Sequence, residues 1–235
     1  MRKAFIRRYI MVKGKFAKLI LEGVKTTTIR LGRVIPKSSE VIIHSEGRPI
    51  AEARIKNVVY KKVKELTEDD ARRDGYPSLE DLLRDLRNIY KVDIGAEDEV
   101  TIIEFEVVKR LDKLDDADPY LGLEPHTIAL LANRYLGDQL TEEEKNVVGA
   151  LLKHKSIRTA SIKLFGTLNK RWAIRRVLKR LLAKLIDRGV ISVSEEALQK
   201  LAMISGFWRS YLAKRRAGDA GNGSSKENVG KRDIS

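Results

Sequence analysis

The chain has 235 residues, 43% hydrophobic and 34% charged, which is enough for one large or two small domains with proper cores. It contains no cysteine, which excludes a disulfide framework and thiolate metal sites and suits a reducing compartment. Lys and Arg outnumber Asp and Glu by 47 to 33, and the resulting net charge of +14 favours a polyanionic partner.

No apolar run approaches the length of a membrane span and the N-terminus lacks a signal-peptide core, so a cytoplasmic protein without membrane attachment is expected. The charge is unevenly spread. Residues 1–110 carry 24 basic and 18 acidic groups, residues 111–140 carry 2 against 6, and residues 141–217 carry 18 against 6. Nucleic acid satisfies such a concentrated field more simply than acidic lipid does.

Met1–Ile10 starts basic and then reads as a strand through Phe5, Ile6, Tyr9 and Ile10. Lys15–Leu21 places Phe16, Leu19 and Ile20 at helical spacing and ends at Gly23, a residue free to adopt the left-handed conformation that closes helices. The β-branched run Thr26-Thr27-Thr28-Ile29 then favours extended backbone. Strict alternation puts Thr26, Thr28 and Arg30 on one face and Lys25, Thr27 and Ile29 on the other; a tight turn out of the helix allows Lys25 to swing towards Thr28. On local chemistry alone, a polar edge strand after a capping glycine is the commoner reading of this stretch.

Val41–His44 and Ile50–Tyr60 are strands around a turn at residues 45–49, the second with the broken alternation of a bulge at Ala51, Ala53, Ile55 and Val58. Thr67 caps a short helix whose first turn is acidic, and Ser78 caps another with Leu79, Leu82, Leu83, Leu86 and Ile89 as its stripe. Glu99–Val108 closes the set as a strand.

Residues 112–123, acidic and broken by Pro119, read as a linker between domains over 1–111 and 124–216. The second is helical: Pro125–Leu136, a Thr141-capped helix, Ser156–Phe165, and a long helix Lys170–Arg188 capped by Asn169, with Trp172, Val177, Leu178, Leu181, Leu182, Leu185 and Ile186 inward. A short strand at Val190–Val193 and a last helix from Ser194 to about Lys214 follow. That order resembles a winged-helix module in pattern, with a plain helical bundle as the alternative. Residues 217–235, rich in Gly, Ser, Asn and Lys, read as a disordered tail.

One motif carries more than a fold pattern. Gly23-x-Lys25-x-x-Thr28-x-Arg30 resembles the signature of the ASCH family, part of the PUA-like superfamily of small β-barrels. Val41-Ile42-Ile43-His44, Leu66–Ala71 and Asp74–Leu79 fit the same family, and the likeness covers roughly residues 1–111. Threonine at position 28, where many members carry glutamate, is similar to the N(4)-acetylcytidine amidohydrolases of that family. The resemblance implies a PUA-like barrel with flanking helices; with the mainly helical, winged-helix-like second domain read from its pattern, the chain is expected to be α+β. It also carries that subgroup's catalytic lysine onto Lys25, its threonine onto Thr28 and its acid onto Asp74. The family acid is a glutamate, so Asp74 is one methylene short, and misplacing a catalytic group by about an ångström costs on the order of a hundredfold.

A phosphate surface is expected on the long C-terminal helix, where Arg171, Arg175, Arg176, Lys179, Arg180, Lys184 and Arg188 lie opposite the leucines and Asp187 is the only acid between Lys155 and Arg188. Arg30 is the matching candidate in the barrel. His44, His126 and His154 lack metal-ligand spacing, and no phosphate loop, dinucleotide fingerprint or zinc motif is present, so neither metal nor cofactor is expected. These features point to a nucleic-acid-binding protein, RNA before DNA, with a modified nucleoside as a further ligand. The alternatives are an amidohydrolase acting on N(4)-acetylcytidine or a related acylated base, and an adaptor whose basic face meets an acidic protein.

Overall fold

A computed structural model describes residues 4–6, 8–112 and 114–223. The chain divides into two compact units, Met1–Lys113 and Leu114–Ser235.

The first unit is a curled mixed sheet with helices along it. Its strands are β1 (Ala4–Ile6), β2 (Tyr9–Val12), β3 (Thr27–Leu31), β4 (Val34–Pro36), β5 (Glu40–Ser45), β6 (Arg48–Lys62) and β7 (Glu99–Arg110). The main sheet runs β2-β5-β6-β7-β3, and β1 pairs with β4 beside it. β2 lies parallel to β5, and the other pairs of the main sheet are antiparallel. β5 and β6 are joined through Glu46 and Gly47, at φ 50° and 80°, the two positive dihedrals a tight right-twisting hairpin requires. The expected irregularity in β6 is present: its register against β7 shifts between Glu52 and Ala53 and again between Ile55 and Asn57. Such bulges bend a strand and sharpen its twist, which curls a flat ladder towards a half-barrel.

Helices α1 (Ala17–Leu21), α2 (Glu68–Arg73) and α3 (Leu79–Tyr90) complete this unit. Thr67 and Asp70 form a reciprocal capping box on α2, and Ser78 Oγ accepts from the Asp81 amide to cap α3. The core under the sheet gathers Ile10, Phe16, Ile20, Ile29, Ile43, Tyr76, Leu82, Leu86 and Phe105. Ile89, expected inward, is instead 43% exposed at the end of the α3 stripe. The N-terminal stretch is two short strands rather than one.

The second unit consists of α4 (Pro125–Tyr135), α5 (Glu142–His154), α6 (Ile157–Phe165), α7 (Arg171–Asp187), α8 (Glu195–Ile204) and α9 (Gly206–Gly223). Among the described residues of this unit no β-strand forms, and Val190–Val193 is irregular, so the strand expected there is absent and with it the β-wing of a winged helix. Val190 and Ile191 are buried just after the end of α7, which satisfies their apolar side chains without a sheet, and their amides donate to Leu185 O. The single last helix is broken in two by the extended backbone of Ser205. Asn169 does not cap α7; the N-cap is Lys170, with no side-chain bond.

The stretch expected as a bare linker is packed from its second half onward. Leu121 and Leu123 are buried, and Trp208 Nε1 donates to Pro119 O at 2.9 Å while its ring is wholly enclosed. Of the tail, residues 217–223 continue α9 and residues 224–235 lie outside those described.

The closed core of the first unit carries a direct expectation. A fragment of residues 1–113 folds alone, giving a cooperative thermal transition and mixed helix–strand circular dichroism. A soluble fragment without that transition would place the folding boundary elsewhere.

Candidate functional site

The site is built where the end of α1, the start of β3 and the end of α2 meet. Gly23, at φ 75°, turns the chain out of α1, and the Val24 and Lys25 amides both donate to Leu19 O, at 2.8 and 3.0 Å. This turn overrides strand alternation, and β3 begins only at Thr27, so Lys25 reaches inward. On the other side Asp74 closes α2 as its C-cap, and Thr26 N donates to Arg73 O at 3.0 Å, which ties the helix end to the strand.

Lys25 and Asp74 meet in an ion pair, each only 3% exposed. Lys25 Nζ contacts Asp74 Oδ1 and also donates to the Asp74 backbone carbonyl at 2.6 Å. Asp74 Oδ2 accepts from the Ile29 amide at 3.3 Å. The ammonium stands 4.7 Å from the centre of the Phe16 ring. Lysine has three N–H donors, so two are held by Asp74 and one remains for the ring face or a ligand. The shorter acid is no handicap to contact, because the α2 terminus brings Asp74 directly onto Lys25.

Gly75 makes this approach possible. It sits at φ 82°, and a Cβ there would lie 3.2 Å from Phe16 and 3.3 Å from Lys25 Cδ. Any side chain would add backbone strain to a push on the lysine.

Burial acts on both partners. Desolvation lowers the Lys25 pKa against the pull of Asp74, and desolvation raises the Asp74 carboxyl to about 6 despite Lys25, the Ile29 amide and Arg30. The pair opens on a cavity of about 270 Å³ that Thr28, Arg30, Phe16, Tyr76 and Met11 also line. Thr28 is buried, and Arg30 donates to Met11 O at 2.6 Å. Lys25, Thr28, Arg30 and Asp74, read from the sequence as site residues, therefore share one cavity.

A second polar cluster borders it. Tyr76 OH donates to Asp85 Oδ2 at 2.6 Å, and Asp85 also pairs with Lys13 and, at 3.3 Å, with Lys15. Burial tends to raise the Asp85 carboxyl, but hydrogen bonds from Lys13, Tyr76 and Lys15 outweigh it and hold the group at about 2. Burial first, and the Asp85 bond second, push the Tyr76 phenol up, so it stays a neutral donor. Sequence reading passed over this cluster; its one signal was Asp85, an acid beside the leucine stripe of α3.

The helix-borne candidates fare unevenly. Arg171, Arg175 and Arg176 are exposed, and Lys179 donates to Ser205 Oγ at 3.3 Å. Arg180 is paired with Glu143, and Lys184 with Glu144 at 2.8 Å, so both expected phosphate ligands are already neutralised by α5. The sequence shows only the charges along one helix, whereas the compensating acids come from the facing one. Trp172, expected in the core, is exposed. Among the described residues no cluster of three His, Asp or Glu side chains suitable for a metal forms, and no helix is long and apolar enough to cross a membrane.

Residues 3–109 match the family model of the ASCH domain. The chain is similar to the crystal structure of an ASCH domain from Lactobacillus crispatus JV V101, at 21% identity over 45% of this chain and 80% of that one, with a TM-score of 0.39. It is also similar to protein EF3133 from Enterococcus faecalis V583, at 21% identity, 41% and 68% coverage and a TM-score of 0.35. A third likeness is to a serine-to-alanine mutant of ZmASCH from Zymomonas mobilis, at 18% identity, 44% and 70% coverage and a TM-score of 0.32. No curated protein matches the chain. The match to the ASCH domain thus falls within the first unit, and the helical second unit lies outside it.

The raised Asp74 pKa sets a sign for stability. The folded state binds this proton more tightly than the unfolded chain, so the contribution is fully present below pH about 4 and is lost as pH rises through about 6. The unfolding free energy of the parent minus that of Asp74→Asn, measured in urea at pH 4, 5, 6 and 7, should accordingly fall across that window. A difference that rises over the same range would mean that the carboxyl is held ionised.

Proposed function

We propose that the protein binds RNA, and that the ASCH cavity receives a single nucleobase, either within a strand or as a modified nucleoside. The observation that carries this reading is the buried Lys25–Asp74 pair opening on a cavity instead of being sealed in the core. A buried ion pair is a poor device for stability, because desolvation offsets most of its Coulombic gain. Beside a cavity it supplies an adjacent donor and acceptor, the complement of a base edge that presents an acceptor and an amine. The volume suits one heterocycle better than a drug-sized ligand. Arg30 at the same cavity is the natural partner for a phosphate or a carbonyl. In the second unit, the exposed Arg171, Arg175 and Arg176 supply electrostatic affinity without base reading.

A second reading rests on the opposed pKa shifts. Burial brings the two pKa values towards each other, so transfer of one proton from Lys25 to Asp74 yields a neutral amine next to a carboxylic acid. The amine is then a base for the Thr28 hydroxyl or a water, whose oxygen attacks the acetyl carbonyl of an acylated cytosine. When the C–N bond breaks, Asp74 delivers its proton to the departing exocyclic amine. Thr28 attack would leave an acyl ester that water hydrolyses; attack by water would release acetate at once.

One experiment separates these readings. The protein is titrated calorimetrically with cytidine and N(4)-acetylcytidine, and the second mixture is followed by mass spectrometry for cytidine. Saturable binding without turnover, lost in Lys25→Met, is the expected result. Cytidine release that Thr28→Val abolishes at nearly constant side-chain volume would establish the hydrolase. Absence of binding to either nucleoside and to RNA would overturn the proposal.

A further inference from the structure

Trp172 stands on the first turn of α7 with 61% of its surface exposed, in a unit whose other tryptophan is fully enclosed. Helical geometry explains its position. The buried face of α7 runs through Ile174, Val177, Leu178 and Leu181, and residue 172 lies across the helix from it, one turn before Arg175 and Arg176. The indole therefore belongs to the cationic face, where no core contact holds it. A tryptophan so placed leaves a large flat apolar surface in water, and its energetic use comes only when something covers it.

The charge around it is unbalanced in a way that identifies the cover. From Lys145 to Ile186 the chain contains no acidic residue. Among the described residues Arg158, Lys163, Lys170, Arg175 and Arg176 have no acidic partner, whereas Arg180 and Lys184, further along the same helix, are neutralised by Glu143 and Glu144. α6 and α7 pack together, and Lys170 at their junction stands 5.6 Å from the Phe165 ring. α7 is thus divided: its C-terminal half is charge-paired, and its N-terminal half presents unpaired cations about an open aromatic face.

We propose that Trp172 is a stacking platform for a base of single-stranded RNA, with Arg175 and Arg176 holding the flanking phosphates. Both parts of the surface call for this partner. Arg171 and Arg175, one turn apart, repel unless an anion lies between them, and the indole face needs a flat apolar group delivered with that anion. A duplex offers phosphates but keeps its base faces stacked internally, and an acidic protein segment offers charge without a ring of matching shape. The choice of RNA rests on the RNA-binding reading above; the platform itself lies in the second unit and does not depend on the ASCH cavity.

The test uses the intrinsic fluorescence of the full chain. Its tryptophans are two, and Trp208 is buried, so a contact at the surface is reported by Trp172. Titration with an adenosine-rich single-stranded RNA oligonucleotide should quench the emission, while a hairpin duplex of equal charge should bind with little quenching. Trp172→Ala removes no core contact and should weaken single-strand affinity by about tenfold or more, with the salt dependence retained. Arg175→Gln with Arg176→Gln should instead flatten the salt dependence. Unchanged affinity in Trp172→Ala, equal quenching by the duplex, or equal quenching by polyglutamate would each overturn the inference. Complete absence of RNA binding by the parent chain would remove the RNA reading as well, whereas binding that is indifferent to these three residues would remove the platform alone.

Discussion

One buried electrostatic contact at the edge of a cavity ties three segments of the first unit together. Lys25 and Asp74 come from segments 49 residues apart, and their meeting joins the end of α1, the entry to β3 and the C-terminus of α2. Neither partner is comfortable alone. A lone buried ammonium or carboxylate costs several kcal/mol, so removing one partner costs about 3–5 kcal/mol and leaves the other to change its protonation. Thr28 lines the same cavity as the pair, and Gly75 leaves room for the lysine beside it.

That contact also frames the two functional readings. A fixed Lys⁺–Asp⁻ pair is a recognition device, and the same pair with its proton shared is a base beside an acid. The difference is one proton over a hydrogen-bond distance, and burial has moved both groups towards the midpoint. Whether the cavity binds or cleaves is therefore a question about the ligand's carbonyl and amine as much as about the protein.

The barrel half was legible because its signals are local. Gly23, the Thr67 and Ser78 caps, and the broken alternation in β6 each state a backbone requirement that the fold then meets. Lys25, Thr28, Arg30 and Asp74 were singled out through the resemblance, and all four line one cavity. What escaped were matters of tertiary pairing. Asp85 was unreadable as a site neighbour until Tyr76 and Lys13 were brought to it from other elements. Arg180 and Lys184 looked available because Glu143 and Glu144 lie on a different helix. Trp172 was assigned by hydrophobicity when its helical angle already set it apart from Ile174 and Val177. Val190–Val193 has strand composition but, among the described residues, pairs with no strand, and burial serves the apolar groups of Val190 and Ile191 as well.

The topology of the sheet has a temporal consequence. Among the described residues the one strand that pairs with β3 is β7, with Thr27 opposite Glu104, while β5, β6 and β7 form the longest continuous antiparallel ladder. On a chain emerging from the ribosome, the segment carrying Lys25 and Thr28 must wait, unpaired, until nearly the whole unit has been synthesised. Pairings of such sequence separation close late, because the entropy of the intervening loop is lost before any contact compensates it. Assembly of the cavity thus reports completion of the domain: truncated chains present the Lys-Thr-Thr-Thr run as an open, cationic strand, and only the finished unit turns its lysine away from solvent.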